Sequence, residues 1–274
     1  MAGVLPAHAL RHPWRWPGPP EKVATILVDG YPLVWAHGLC SSVAHEDDLG
    51  LFDWPAVAGS VPVVRYDARG HGTSLGGYEE RCYRWSALVD DMMRAAGDGP
   101  FVAGGVGMGA ATALFAALRA PLRTAALVLA LPPAAWHDRA GVAAAHDEDA
   151  DLVEMAGPRR LARAVADRPL PPLLGQARPR ARELQARHLR TMDEKVLVPV
   201  LRAAARSDLP ALDQVHTVIV PTLILAWPDD PVHPLATAET LADLMVQAEL
   251  RVARHTSELE TWTKVITEFV ANAL

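Results

Sequence analysis

Between Pro100 and Thr112 the chain reads P-F-V-A-G-G-V-G-M-G-A-A-T, an apolar strand running through a glycine-dense turn into an alanine-rich helix. No other stretch constrains the fold as strongly. A strand that enters a helix with so few intervening residues must turn sharply, and glycine tolerates such backbone where other residues do not. Gly105-Val106-Gly107-Met108-Gly109 has the spacing of a nucleophile elbow, G-x-S-x-G, in which a strained turn lifts one side chain into a catalytic site. The central position is Gly107. The backbone of a catalytic turn is therefore present without its attacking group.

Half of the 274 residues are apolar, enough for a large core, and the length suits one domain with an insertion. The net charge of -6 gives no general attraction to nucleic acid or anionic lipid, and no apolar run reaches the roughly 20 residues that span a bilayer. Met1 to Pro20 lacks the features of a secretory signal and reads as a cytoplasmic leader or edge element. Cys40 and Cys82 are too few for a disulfide framework and have no metal-type spacing, which fits a reducing, cytoplasmic compartment.

Strand and helix patterns alternate along most of the chain. Lys22 to Asp29 and Tyr31 to Ala36 flank an Asp29-Gly30 turn and predict a hairpin. Val61 to Tyr66, Pro100 to Ala103, Thr124 to Leu131, Thr217 to Ala226 and Leu250 to Ala253 predict further strands. Trp85 to Ala96, Ala110 to Leu118, Thr237 to Met245 and a last segment through Trp262 and Phe269 predict helices. The cluster His45-Glu46-Asp47-Asp48 reads as a solvated face at a helix start. After Pro132-Pro133 the alternation stops for about eighty residues. The division expected is a core of residues 1–132 and 213–274 with a helical insertion, a cap, at 133–212. Arginines 159, 160, 163, 178, 180, 182, 187 and 190 are spread through that insertion. Most read as solvated and paired with Asp147 to Asp151 or Glu183, and one or two are open to an anion-binding role. Repeated strand-helix units predict an open, mostly parallel α/β sheet with ligands at the carboxyl ends of its strands.

In this order the motifs resemble the α/β-hydrolase superfamily over nearly the whole chain. They are His37-Gly38 after an early strand, Tyr66-Asp67-Ala68-Arg69-Gly70-His71-Gly72 after the next, the glycine turn, the helical insertion and a late acidic loop around Asp230. The resemblance implies oxyanion-hole amides at Leu39 and Met108, a pocket floor at Val106 and Gly107, and an acid at Asp230, or its neighbour Asp229. It puts the family's histidine near Glu258, in a loop after the last strand. The nearest imidazole there, His255, comes three residues earlier. Two of the three triad members thus look replaced or absent.

Several side chains are candidates to fill the gap. His233 lies three residues past Asp230 and is a displaced acid/base candidate, against the alternative of a loop-capping histidine. Cys40 follows the oxyanion loop and is a nucleophile only if its thiol pKa is depressed. His37 and His71 sit in motifs where an imidazole more often ties loops together. Trp35, Trp136 and Trp227 follow strand ends as pocket walls or core. A pocket with oxyanion donors and no nucleophile suits chemistry without a covalent step, such as removal of an α-proton to an enolate. In this the chain resembles a triad-deficient branch of the superfamily that includes the bottromycin peptide epimerase. That resemblance implies a cofactor-free, metal-free epimerase or isomerase acting on a modified peptide or small-molecule substrate. Two other readings stand beside it: a hydrolase of esters, lactones or amides that uses water directly, and a non-catalytic binder.

Overall fold

The computed structural model describes residues 30–273. Six strands, β1 (Leu33–Ala36), β2 (Val63–Tyr66), β3 (Phe101–Val106), β4 (Thr124–Ala130), β5 (Thr222–Ala226) and β6 (Ala248–Val252), form one sheet in the order β2-β1-β3-β4-β5-β6. Every pairing is parallel. The Lys22 to Asp29 arm of the expected hairpin lies outside the described residues. The following arm is β1, an inner strand between β2 and β3. The chain moves outward from β1 to β2 and then returns to the other side of β1 as β3. The order therefore reverses between β1 and β3, where a crevice opens at the strands' carboxyl ends.

Thirteen helices are described: α1 (Val43–Leu49), α2 (Trp54–Ala58), α3 (Val89–Ala96), α4 (Met108–Arg119), α5 (Arg139–Ala156), α6 (Pro158–Ala166), α7 (Pro172–Ala177), α8 (Ala181–Leu189), α9 (Glu194–Ala205), α10 (Leu212–His216), α11 (Leu235–Leu244), α12 (Thr256–Glu260) and α13 (Trp262–Asn272). Alternate strand residues feed opposite faces of the sheet. Val34 and Ala36 join Met92, Leu114 and Leu241 on one face, while Leu33 and Trp35 join Trp54, Trp262 and Ile266 on the other. Trp35 and Trp227 are thus core side chains under α2 and α13. Trp136 is partly buried, and its indole N–H donates to the Pro210 carbonyl at 2.9 Å.

A third apolar cluster holds α5, α6, α8 and α9 together and takes in Cys40 and Tyr83 from the loops after β1 and β2. The helices between β4 and β5 therefore pack over the end of the sheet where the crevice opens. Charged groups fasten them there. Arg178 Nε donates to the Gly50 carbonyl at 2.9 Å, and Arg187 meets Asp48 at 2.7 Å. Arg180 pairs with Glu183 as expected, but Asp147 to Asp151 are met by Arg168, Arg202 and Arg206 instead of the arginines named above. Two predicted elements are shorter. Thr217 caps α10, so β5 begins only at Thr222, and regular helix in α3 begins at Val89. Among the described residues no helix is long and apolar enough to cross a membrane.

The acidic cluster in α1 is only half solvated. Ser42 caps this helix by accepting the His45 amide at 3.1 Å, and Gly50 ends it in the left-handed conformation at φ 62°. That places His45 and Glu46 inward, with Asp47 and Asp48 outside. Glu46 accepts from the Trp35 indole at 3.3 Å and from Arg65 at 3.4 Å. Burial nevertheless pushes its carboxyl up to about 7, against the opposing pull of Arg65. An acid whose folded pKa is raised keeps its proton in the native state while the unfolded chain has already lost it. The associated stability is full below about pH 4.5 and falls as pH rises toward 7, by about 3 kcal/mol for this shift. Glu46→Gln cannot titrate. Its melting temperature relative to wild type is therefore expected to rise by several degrees between pH 4.5 and 7.5, and a constant difference across that range would contradict the buried, protonated carboxyl.

Candidate active site

Register brings Ala36 of β1 opposite Gly105 of β3, so His37-Gly38 and Gly107 leave the sheet side by side. Gly107 sits at φ 55°, ψ -112°, and α4 starts at the next residue with no side-chain cap. Its first amides are therefore free donors at the positive end of the helix dipole. Among the described residues, neither the Met108 nor the Leu39 N–H meets an acceptor. Both sit where the resemblance places an oxyanion hole. Among the described residues, four other than glycine have positive φ: Cys40 (51°), Leu131 (48°), Trp136 (50°) and Asp229 (61°). They fall on the loops that follow β1, β4 and β5. Backbone strain is thus concentrated at the crevice end of the sheet, as is usual around functional loops.

The loop after β5 carries the carboxylate that the resemblance takes as the acid. Asp230 is buried, and its Oδ2 accepts from His233 Nδ1 at 2.9 Å and from the Trp227 indole at 2.9 Å. Its Oδ1 accepts the Val232 and His233 amides at 3.0 and 3.2 Å. Burial alone would raise this carboxyl, but its attraction to the His233 ring and these hydrogen bonds together hold it well below the usual range. A carboxylate fixed in this way orients the imidazole with Nδ1 protonated and the Nε2 lone pair free. A Cβ built on Gly107 would stand 3.1 Å from His233 Nε2. His233 is therefore the imidazole that addresses the elbow, reached through a loop folded back at Asp229. His255 is elsewhere. It is exposed at the start of α12, where its amide donates to Glu258 at 3.1 Å.

The remaining candidates have structural occupations. His37 Nδ1 donates to the Gly38 carbonyl at 2.8 Å and its Nε2 accepts the Ala68 amide at 3.0 Å, while burial lowers the ring to about 4. His71 Nδ1 donates to the Arg69 carbonyl and its Nε2 accepts the Cys40 amide at 3.3 Å, with burial lowering it to about 3. Both are neutral ties between the loops after β1 and β2. Burial pushes the Cys40 thiol up to about 12, so almost none of it is thiolate at neutral pH. One serine does touch an imidazole: Ser41 Oγ lies 2.9 Å from His45 Nδ1. Burial, with His188 stacked on the ring, lowers His45 to about 4 and leaves it a weak base.

A cavity of about 180 Å³ adjoins the elbow. It reaches from Gly38 and Val106 to Arg182 and Gln185 of α8, with Phe52 and Leu174 among its apolar walls. His146 of α5, for which the sequence carries no motif, lies within electrostatic range of His233 and is lowered to about 4, first by burial and then by Arg139. Arg182 was only one of eight undifferentiated arginines, and Gln185 and Phe52 carried no sequence signal at all. Among the described residues no group of three or more His, Cys, Asp or Glu is disposed to hold a metal ion.

The parallel sheet with its switch point, the elbow after β3, the acid and histidine after β5 and the helices inserted after β4 define an α/β-hydrolase fold. The chain belongs to the family described as serine aminopeptidase, S33, whose model matches residues 33–256. Similar solved structures include a hydrolase from Pseudomonas aeruginosa PA01, 26% identical with a TM-score of 0.71 over 89% of each chain. A thermophilic esterase from Thermogutta terrifontis, solved with malate bound, is 20% identical with a TM-score of 0.73, over 90% of this chain and 91% of its own. The enol-lactonase from Burkholderia xenovorans LB400 is 21% identical with a TM-score of 0.68, over 89% of this chain and 92% of its own. No curated protein sequence matches this chain.

Proposed function

We propose that this chain is a cofactor-free hydrolase of esters or lactones in which the His233–Asp230 pair activates water directly, with no acyl-enzyme. One observation carries the reading: His233 Nε2 lies 3.1 Å from where a Cβ on Gly107 would stand. A water oxygen at that point is at hydrogen-bonding distance from an imidazole already held by Asp230. The water gives its proton to Nε2 as its oxygen bonds to the carbonyl carbon. The oxyanion is held by the Leu39 and Met108 amides, each such donor contributing roughly 3 to 4 kcal/mol. Collapse expels the alkoxide, which takes the proton back from the imidazolium. The esterase and lactonase among the structural neighbours support the substrate class.

The same bare turn favours a second reading. With no side chain on Gly107 between Nε2 and the turn, the base can equally take an α-proton and leave an enolate on the same donors, which is epimerase or isomerase chemistry on a small molecule or modified peptide. Two free cysteines suit a cytoplasmic protein under either reading.

A panel of esters and lactones separates them. Turnover is expected to resist a fluorophosphonate probe, to show no acyl adduct by intact mass, and to fall by roughly 10²- to 10⁴-fold in His233→Ala. An adduct on Ser41 or Cys40 during turnover would overturn the direct-water mechanism. Deuterium entering an α-carbon in heavy water, without hydrolysis, would favour proton transfer instead.

A further inference from the structure

The cavity beside the elbow is apolar along Leu49, Leu51, Phe52, Leu170 and Leu174, yet it ends on a cation. Arg182, at the start of α8, is partly buried and pairs with no carboxylate among the described residues. Its three hydrogen bonds all go to neutral acceptors: Nε to the Arg168 carbonyl at 3.2 Å, one terminal nitrogen to the Pro169 carbonyl at 2.8 Å and the other to Gln185 Oε1 at 2.7 Å. A guanidinium has five N–H donors, so each terminal nitrogen keeps one unused. Arg168, Arg180, Arg187, Arg202 and Arg206 of the insertion each have a carboxylate, and Arg139 and Arg178, which like Arg182 meet only carbonyls, do not line the cavity. Holding Arg182 in place with carbonyls and an amide fixes its position while leaving its charge unanswered.

Two carboxylates lie near enough to matter, and neither answers it. Glu46 lines the same cavity, but its oxygens are taken by Trp35 and Arg65. Asp230 lies within Coulombic range of Arg182, but its oxygens are filled by His233, Trp227 and backbone amides. Burial and the neighbouring Arg168 both weigh against the charged form of Arg182, as expected of a cation without a counter-ion.

We propose that the cavity binds substrates bearing a carboxylate, which pairs with Arg182 across a short aliphatic or aromatic body while the reacting carbonyl lies over Gly107. The position of the carbonyl rests on the function proposed above, but the carboxylate site does not. Arg182 is then a specificity residue contributed by the inserted helices, and it selects anionic over neutral acyl compounds. The free donors on its two terminal nitrogens suit a carboxylate's paired oxygens.

Calorimetric titration of the full chain with sodium hexanoate and with hexanamide tests this without turnover. Wild type is expected to bind hexanoate at least ten-fold more tightly than hexanamide. Arg182→Gln should lose that preference through weaker hexanoate binding, and Arg182→Lys should keep part of it; their melting curves report whether each variant is folded. Equal binding of acid and amide by wild type, no binding of hexanoate, or an undiminished preference in folded Arg182→Gln would overturn the proposal. His233→Ala keeps the two claims apart. It should retain hexanoate binding while losing turnover, so a His233→Ala protein that still turns over substrate counts against the mechanism and leaves the carboxylate site standing.

Discussion

Gly107→Ser is expected to convert the protein into a serine esterase that reacts with fluorophosphonates. Position 107 already holds φ 55°, ψ -112°, so the substitution needs no new backbone conformation, although a side chain there carries strain of about 1 to 3 kcal/mol. The new Cβ would meet His233 Nε2 at 3.1 Å, and the ring must yield by a few tenths of an ångström. That proximity is also what brings the new hydroxyl within reach of its base, with Asp230 behind the ring at 2.9 Å. Hydrolysis of an activated ester should rise by roughly 10³-fold over wild type, well short of the about 10⁶-fold that a complete, evolved triad adds to an oxyanion hole and binding alone. The label should map to position 107 and disappear in the Gly107→Ser, His233→Ala double variant. A folded Gly107→Ser protein that takes no label would mean that His233 does not serve this turn.

Gly109→Ala is expected to have the opposite character and to damage the fold itself. A Cβ at 109 would stand 2.0 Å from the Ala36 carbonyl oxygen, 2.6 Å from its carbon and 2.9 Å from the His37 oxygen. All three are backbone atoms of β1 and the loop after it, so no side chain can turn aside. Relief requires α4 to move off the sheet, which disrupts the apolar contacts of Ala110, Ala113 and Leu114. A cost above about 4 kcal/mol is a large part of the stability of a domain. Loss of soluble protein, or a melting temperature lower by roughly 10 °C, is the outcome to look for. Gly99→Ala is the matched control, since a Cβ there meets nothing within 4 Å. If both variants melt alike, the close approach of α4 to β1 is not what the sheet requires.

The order of motifs made the fold legible, because each loop with chemistry in it follows an apolar strand and a parallel sheet gathers such loops at one end. The geometry of the candidate site was legible in part. Asp230 and His233 are three residues apart and could be named as a pair, but a spacing of three cannot say that the ring turns toward Gly107; that depends on how the loop after β5 folds, with Asp229 at positive φ and Nδ1 tied to Asp230. Counting along the chain favoured the region of His255 instead, and that residue begins a helix at the surface. Glu46 is not legible as a buried residue, because four polar residues in a row look solvated until α1's capping by Ser42 fixes which side of the helix faces Trp35. Parity along β1 could have assigned Trp35 to the core, since Leu33 and Trp35 share a face. Nothing in the sequence distinguishes Arg182 from its seven neighbours, because its place in the wall of the cavity exists only in three dimensions.

The three glycines of the elbow are therefore not equivalent letters of one signature. A Cβ at 105 or 109 would strike backbone within 2.4 Å or 2.0 Å, whereas a Cβ at 107 would meet only a movable ring. Any chain that packs this helix against this strand has to spell the outer two, whether or not it catalyses anything, so their presence says nothing about activity. All the functional information of the motif is carried by its middle position, and a search that accepts the flanking glycines as partial evidence for an enzyme is counting packing as chemistry.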